Sequence, residues 1–200
     1  KGNTLAIVLL VVGLAVGAGA GYFLAPSGDG GGTIEVEVAP LAGKTIQLGY
    51  ISSTTVGLET AVPHVNEIMT VDYNDFAEML GYDVEFEFLI DDATGQAAVH
   101  LEKVQGYKSM DISVFIGGLW SGQASASLSY VNDNDMLMWS SSSTSPLLAL
   151  ADDNLLRMCP TDLIQAPAIG AMLESRGIEH IVVIQRGDSW ADGIYNILEP

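Results

Sequence analysis

Residues 112–144 read ISVFIGGLWSGQASASLSYVNDNDMLMWSSSST, and this stretch decides the fold. An apolar run at 112–116 has the length and β-branched content of a buried strand and stops at Gly117–Gly118. Ser121 then opens a helix that runs to about Asn132. A second apolar run at 136–139 ends in the hydroxyl series Ser140 to Thr144. Two short strands joined through a helix run parallel, because only a crossover of that length returns the chain to the same edge.

The alternation continues in both directions. Upstream, residues 45–51 (TIQLGYI) form a strand that ends in Ser52, Ser53, Thr54 and Thr55. A long helix is expected over 58–80, stopped by Gly81. Residues 84–90 alternate as the next strand and end in Asp91–Asp92, and Thr94 is placed to cap a helix reaching about Tyr107. Downstream, 155–158 is a short strand, 163–176 a helix closed by Gly177, 178–185 another strand and 191–198 a last helical stretch. This order predicts an α/β fold, a parallel sheet with helices on both faces. Sheets of that kind take ligands outside the carboxyl ends of their strands.

The strand ends carry the chemistry. Gly117 and Gly118 allow close approach of the backbone, and the N-terminus beginning at Ser121 offers free N–H groups and partial positive charge to a carboxylate. The run Ser140 to Thr144 gathers hydroxyls and backbone amides, which suit an amino-acid ammonium and carboxylate. Trp120, Trp139 and Trp190 lie near strand ends, and together they have the bulk to wall an apolar pocket. Gly187–Asp188–Ser189–Trp190 shares letters with an esterase motif, but no acid and histidine follow it in suitable order. His64, His100 and His180 have no metal-ligand spacing and read as surface or packing residues. Cys159 is the only cysteine, so neither a disulfide framework nor a multi-cysteine metal site is available.

The N-terminal part reads differently. Residues 4–24 (TLAIVLLVVGLAVGAGAGYFL) carry no charge and are long enough, at about 30 Å as a helix, to cross a bilayer. Tyr22 and Phe23 suit one interface, and Lys1 places the other end in the cytoplasm. The length favours a retained anchor over a cleaved signal peptide, although Ala18–Gly19–Ala20 would suit a signal peptidase. Pro26 to Gly32 forms a flexible tether. The expected divisions are a transmembrane segment at 1–25, a Gly-rich tether and lead-in at 26–43, a first lobe at 44–160 and the start of a second at 161–200.

The whole chain has 25 Asp and Glu against 7 Lys and Arg, a net charge of −18. That balance repels phosphate backbones and anionic headgroups, which excludes nucleic acid as a natural partner and docking on acidic lipid. With 48% hydrophobic residues the chain has enough apolar content for a packed core.

Four stretches resemble the branched-chain amino-acid-binding proteins of ABC importers, the type I periplasmic-binding family. They are FIGGLWSGQASA at 115–126, LMWSSSSTSPLL at 137–148, LLRMCPTDLIQAPAI at 155–169, and the strand before GDSWADG at 187–193. The resemblance covers about 44–199 and implies two lobes closing on a ligand. It implies that Ser121, with Trp120 beside it, meets the ligand carboxylate. The serine run contributes a backbone carbonyl at Ser142 and a hydroxyl at Thr144, with Ser143 between them. Trp190 stands where the family usually places a tyrosine from the second lobe. Leu58 departs from a tyrosine common in the family, and the family's acid for the ligand ammonium falls beyond Pro200, so the second lobe is expected to be incomplete.

The expected function is that of an extracytoplasmic, membrane-anchored solute-binding protein at the cell surface or in the periplasm. It delivers an amino acid, an amide or a urea-like solute to an ABC permease, without cofactor or catalysis. A membrane-anchored sensor ectodomain of the same fold is the alternative, and an exported hydrolase using Ser121 or Ser189 a weaker one.

Overall fold

The computed structural model describes residues 41–53 and 57–199. The expected membrane segment, the tether and most of the lead-in fall outside those residues. Among the described residues, no helix is long and apolar enough to cross a membrane.

Five parallel strands form one sheet in the order β2-β1-β3-β4-β5. They are β1 (Lys44–Ser52), β2 (Val84–Asp92), β3 (Val114–Ile116), β4 (Leu137–Ser140) and β5 (Leu155–Arg157). The chain steps outward from β1 to β2, then returns past β1 to β3 and continues in that direction. Right-handed crossovers therefore put helix α1 on one face and α2 and α3 on the other. The reversal lies between β1 and β3, at whose carboxyl ends a sheet of this kind opens a crevice.

Helix α1 is continuous over 57–79, as Gly57–His64, a π turn at Val65–Met69, and Thr70–Met79. Gly81 ends it in the left-handed region at φ 73°, its N–H donating to Glu78 O while Tyr82 N–H donates to Ala77 O. Asn74 on this helix covers the open side of β2. Its Oδ1 accepts from Phe86 N–H at 2.7 Å and its Nδ2 donates to Phe86 O at 3.0 Å. One side-chain amide thus satisfies both backbone groups of Phe86 on the edge of β2 that faces away from β1.

Helices α2 (Ala97–Ser109) and α3 (Ser121–Asp133) pack against each other. Between them and the sheet lies the core, including Ile51, Val104, Tyr107, Phe115, Val131 and Met138. The Tyr107 hydroxyl donates to Tyr50 O and Leu89 O, which ties α2 to the two longest strands and satisfies an otherwise costly buried group. A 3-10 turn at Pro146–Leu148 links β4 to β5, and after β5 come helix α4 (Gln165–Ser175) and helix α5 (Ser189–Leu198). Helix α5 packs on both the 3-10 turn and α3.

Two expectations need correction. Thr94 does not cap α2; Gln96 holds the N-cap position with extended backbone. Thr94 sits instead in a left-handed turn at φ 49°, its N–H donating to Asp92 Oδ1 at 2.8 Å. Asp92 supplies the local acceptor and tightens the chain before the helix can begin. The second correction concerns 178–185, which belongs to no strand. Its apolar run has strand character, but a ladder requires a hydrogen-bonding neighbour and none stands beside it among the described residues.

Candidate functional site

The loops after β3 and β4 are held together by one buried network. His100, on α2, is fully buried. Gly118 N–H donates to its Nε2 at 2.7 Å, so the ring proton resides on Nδ1 and points to Ser127 Oγ, also at 2.7 Å. Burial pushes the imidazole pKa down from 6.5 to about 4, which keeps the ring neutral and able to accept at Nε2. Gly118 is left-handed at φ 57°, and a Cβ there would lie 2.8 Å from Met138 Sδ and 2.9 Å from Ala124 Cβ. Its glycine identity is required by the turn and by packing.

The carbonyl of Gly118 accepts from the hydroxyls of both Ser140, at 2.7 Å, and Ser143. Ser143 N–H donates to Ser140 Oγ, and Ser142 Oγ donates to Leu119 O. Three serines of the run thus bind the glycine loop directly. From the other side, Arg157 Nη1 donates to Ser143 O at 3.1 Å and Ser145 O at 2.8 Å. Asp162, itself buried, accepts from Thr144 Oγ1 at 2.8 Å, and its N–H donates to Thr144 O.

The structure brings five of the six expected site residues into this neighbourhood, with different freedom. Ser142 is exposed and Thr144 half-buried, while Ser143 is sealed. Ser121 is only 2% exposed, and its Oγ accepts from Ser145 N–H at 3.2 Å. It is the first helical residue and not the cap, a position taken by Trp120 with extended backbone. Gln123 Oε1 reaches back to Trp120 N–H at 3.4 Å.

Trp190, the sixth, reaches the same place through an arginine. The guanidinium of Arg186 lies over the Trp120 ring at 4.7 Å and over Trp190 at 5.8 Å, and it pairs with Asp188. Asp188 Oδ1 accepts from Ala191 N–H and caps α5, and its Cβ lies 3.2 Å from where a Cβ on Gly122 would be. The N-termini of α3 and α5 therefore meet beside this arginine.

Sequence reasoning missed His100, Arg157, Asp162 and Arg186 as parts of this assembly. The scarcity of cations was a usable signal: with 7 Lys and Arg in the chain, an arginine closing an apolar run, as Arg157 and Arg186 do, is conspicuous. No comparable signal marked His100 or Asp162. Among the described residues no cluster of His, Cys, Asp and Glu would hold a metal ion. A surface hollow lined by Gln47, Glu87, Asp111 and neighbours lies toward the amino ends of the strands and shares no residue with this assembly.

Residues 69–199 match the family model described as the receptor family ligand binding region. An uncharacterised protein of Methanocaldococcus jannaschii is 28% identical over 158 residues, covering 74% of this chain and 38% of that protein. Among solved structures, a leucine-binding protein from Thermotoga maritima aligns with TM-score 0.63 at 19% identity, over 76% of this chain and 44% of the other. An ABC transporter substrate-binding protein from Desulfitobacterium hafniense, in complex with leucine, gives 0.57 at 19% identity, over 78% and 46%. At that identity the likeness is one of fold. The chain spans less than half the length of these relatives.

Proposed function

This chain belongs to the receptor family ligand binding region, and from that premise we propose that it captures a small polar solute outside the cytoplasm for an ABC permease. Binding, not catalysis, is the role that suits the strand-end assembly. One observation carries the proposal. The carboxyl ends of β3 and β4 are cross-braced by buried hydroxyls, yet they leave Ser142, Thr144, Trp120 and Trp190 accessible beside two helix N-termini. A rigid polar rim with aromatic walls binds a solute without spending much free energy on ordering itself.

An amino acid or similar amide is the solute we favour. The structural neighbours named for leucine support that class. We take 44–160 as the first lobe and 161 onward as the second, closing by a hinge that solute contacts favour. The apolar run at 4–24 would hold the protein at the membrane. A sensor ectodomain would use the same fold and anchor, and a cytoplasmic signalling domain on the full-length protein would identify it.

A thermal-shift screen of the full-length ectodomain against amino acids, amides and urea tests the reading. A rise in melting temperature confined to one of these classes is expected. A flat response across the panel would remove the support for solute capture.

A further inference from the structure

Resting on the solute-binding reading, we propose that Arg186 reads an anionic group of the solute, at a donor-rich site where α3 and α5 begin. Four observations converge there. First, the guanidinium carbon of Arg186 lies 4.7 Å from the centre of the Trp120 ring and 5.8 Å from that of Trp190. Contact with the ring faces leaves its N–H donors free, and Asp188 is its one ion-pair partner among the described residues. Second, Gln123 is 1% exposed and leaves its Nε2 without a partner. Its Oε1 is turned back to Trp120 N–H, so the unused NH2 belongs to the opening turn of α3.

Third, Ser189 Oγ is a buried atom with no partner at the opening of α5. Fourth, the two helices of 13 and 10 residues bring their positive ends together, with Asp188 Cβ packed on the Gly122 position. Native proteins rarely leave buried donors unmatched, and each such case calls for an explanation. The unpartnered amide NH2 of Gln123 and hydroxyl of Ser189 belong to the opening turns of two helices that meet beside Arg186, and an anionic acceptor suits all three donors. Asp188 supplies part of it now while also capping α5. A carboxylate from the solute would supply the rest.

This inference selects among solutes. An amino acid or another carboxylate fits, whereas a neutral amide or urea leaves the arginine facing only Asp188. It also moves the reading of the carboxylate away from Ser121, whose oxygen is buried against Ser145 N–H.

The test is calorimetric titration of the full-length ectodomain with the amino acids, their α-carboxamides, succinate and urea. The wild type, R186Q, R186K and D188N are compared, with circular dichroism melts to verify folding. A carboxylate is expected to bind the wild type ~10- to 100-fold more tightly than its carboxamide. R186Q brings the carboxylate down to the carboxamide's level and leaves the carboxamide unchanged. R186K falls between them, since it keeps charge but not the planar fork. D188N keeps a capping oxygen and releases the arginine, so carboxylates bind it several-fold more tightly. Carboxylate affinity unchanged in folded R186Q overturns the proposal, as does a wild type that prefers carboxamides or urea; in both cases solute capture stands. Absence of binding by every compound overturns solute capture and this inference together.

Discussion

His100 makes the strand-end assembly sensitive to acid, and the effect can be worked from the structure. The ring is buried, accepts from Gly118 N–H and carries its proton on Nδ1 toward Ser127. Its pKa falls from 6.5 to about 4 on folding through loss of solvation. A shift of that size is worth ~3 kcal/mol. Below 6.5 the unfolded chain binds a proton that the folded chain refuses until about pH 4. The unfolded state thus holds more protons in that window, and stability rises with pH through it. The contribution is complete above the unfolded value and is lost as pH falls toward the folded one.

His100→Gln removes the titration but keeps an acceptor. We expect it to cost ~1–2 kcal/mol at neutral pH, because one amide does not reproduce both hydrogen bonds. The wild type should then lose ~3 kcal/mol more than the variant between about pH 6.5 and 4, so the two stability curves cross. Urea unfolding of both proteins at several pH values measures this, and subtracting the curves cancels the many carboxylates that titrate in each. A wild-type minus variant difference that stays constant across the window would refute the reasoning.

Three further outcomes follow from the same braces. Gly118→Ala should destabilise by ~2–4 kcal/mol in urea unfolding, since the left-handed backbone and the contacts with Met138 and Ala124 both oppose a Cβ. Arg157→Met should cost ~2 kcal/mol and lower the affinity for the solute, because the carbonyls of Ser143 and Ser145 lose a charged donor; a variant as stable as wild type would show the contact to be incidental. Thr144→Val and Asp162→Asn should couple by ~1 kcal/mol in a double-mutant cycle, and additive losses would argue against the bond between them.

Much of the architecture was legible because strands and helices leave periodic traces. The five paired strands, the glycine stops at Gly81 and Gly177, and the helix from Ser121 all correspond to patterns in the letters. Pairing does not: 178–185 reads as a strand, but partnership belongs to a second segment that the run itself does not encode. Caps were ambiguous for a related reason. Thr94 and Ser121 are good capping residues, yet Asp92 captured one locally and Ser145 N–H captured the oxygen of the other. At the site, the loops were legible and their wiring was not. The serine run suggested contacts with a solute, whereas most of its hydroxyls donate to the carbonyls of Gly118 and Leu119, more than twenty positions away in sequence. Arg186 escaped notice because its meaning depends on two tryptophans that only folding brings to it.

The segment after Gly177 has a practical consequence for anyone handling this protein. Ile181–Val182–Val183–Ile184 is uncharged, β-branched and free of proline, and Val182 and Ile184 are 90% and 94% exposed. Such a tetrad, lacking a ladder partner among the described residues, has the composition of a steric-zipper seed. Preparations in which it stays uncovered should form thioflavin-positive fibrils after a lag that shortens with concentration. A gatekeeping lysine at Val182 would lengthen that lag without touching the solute site. The choice of domain boundaries therefore determines shelf life as much as it determines affinity.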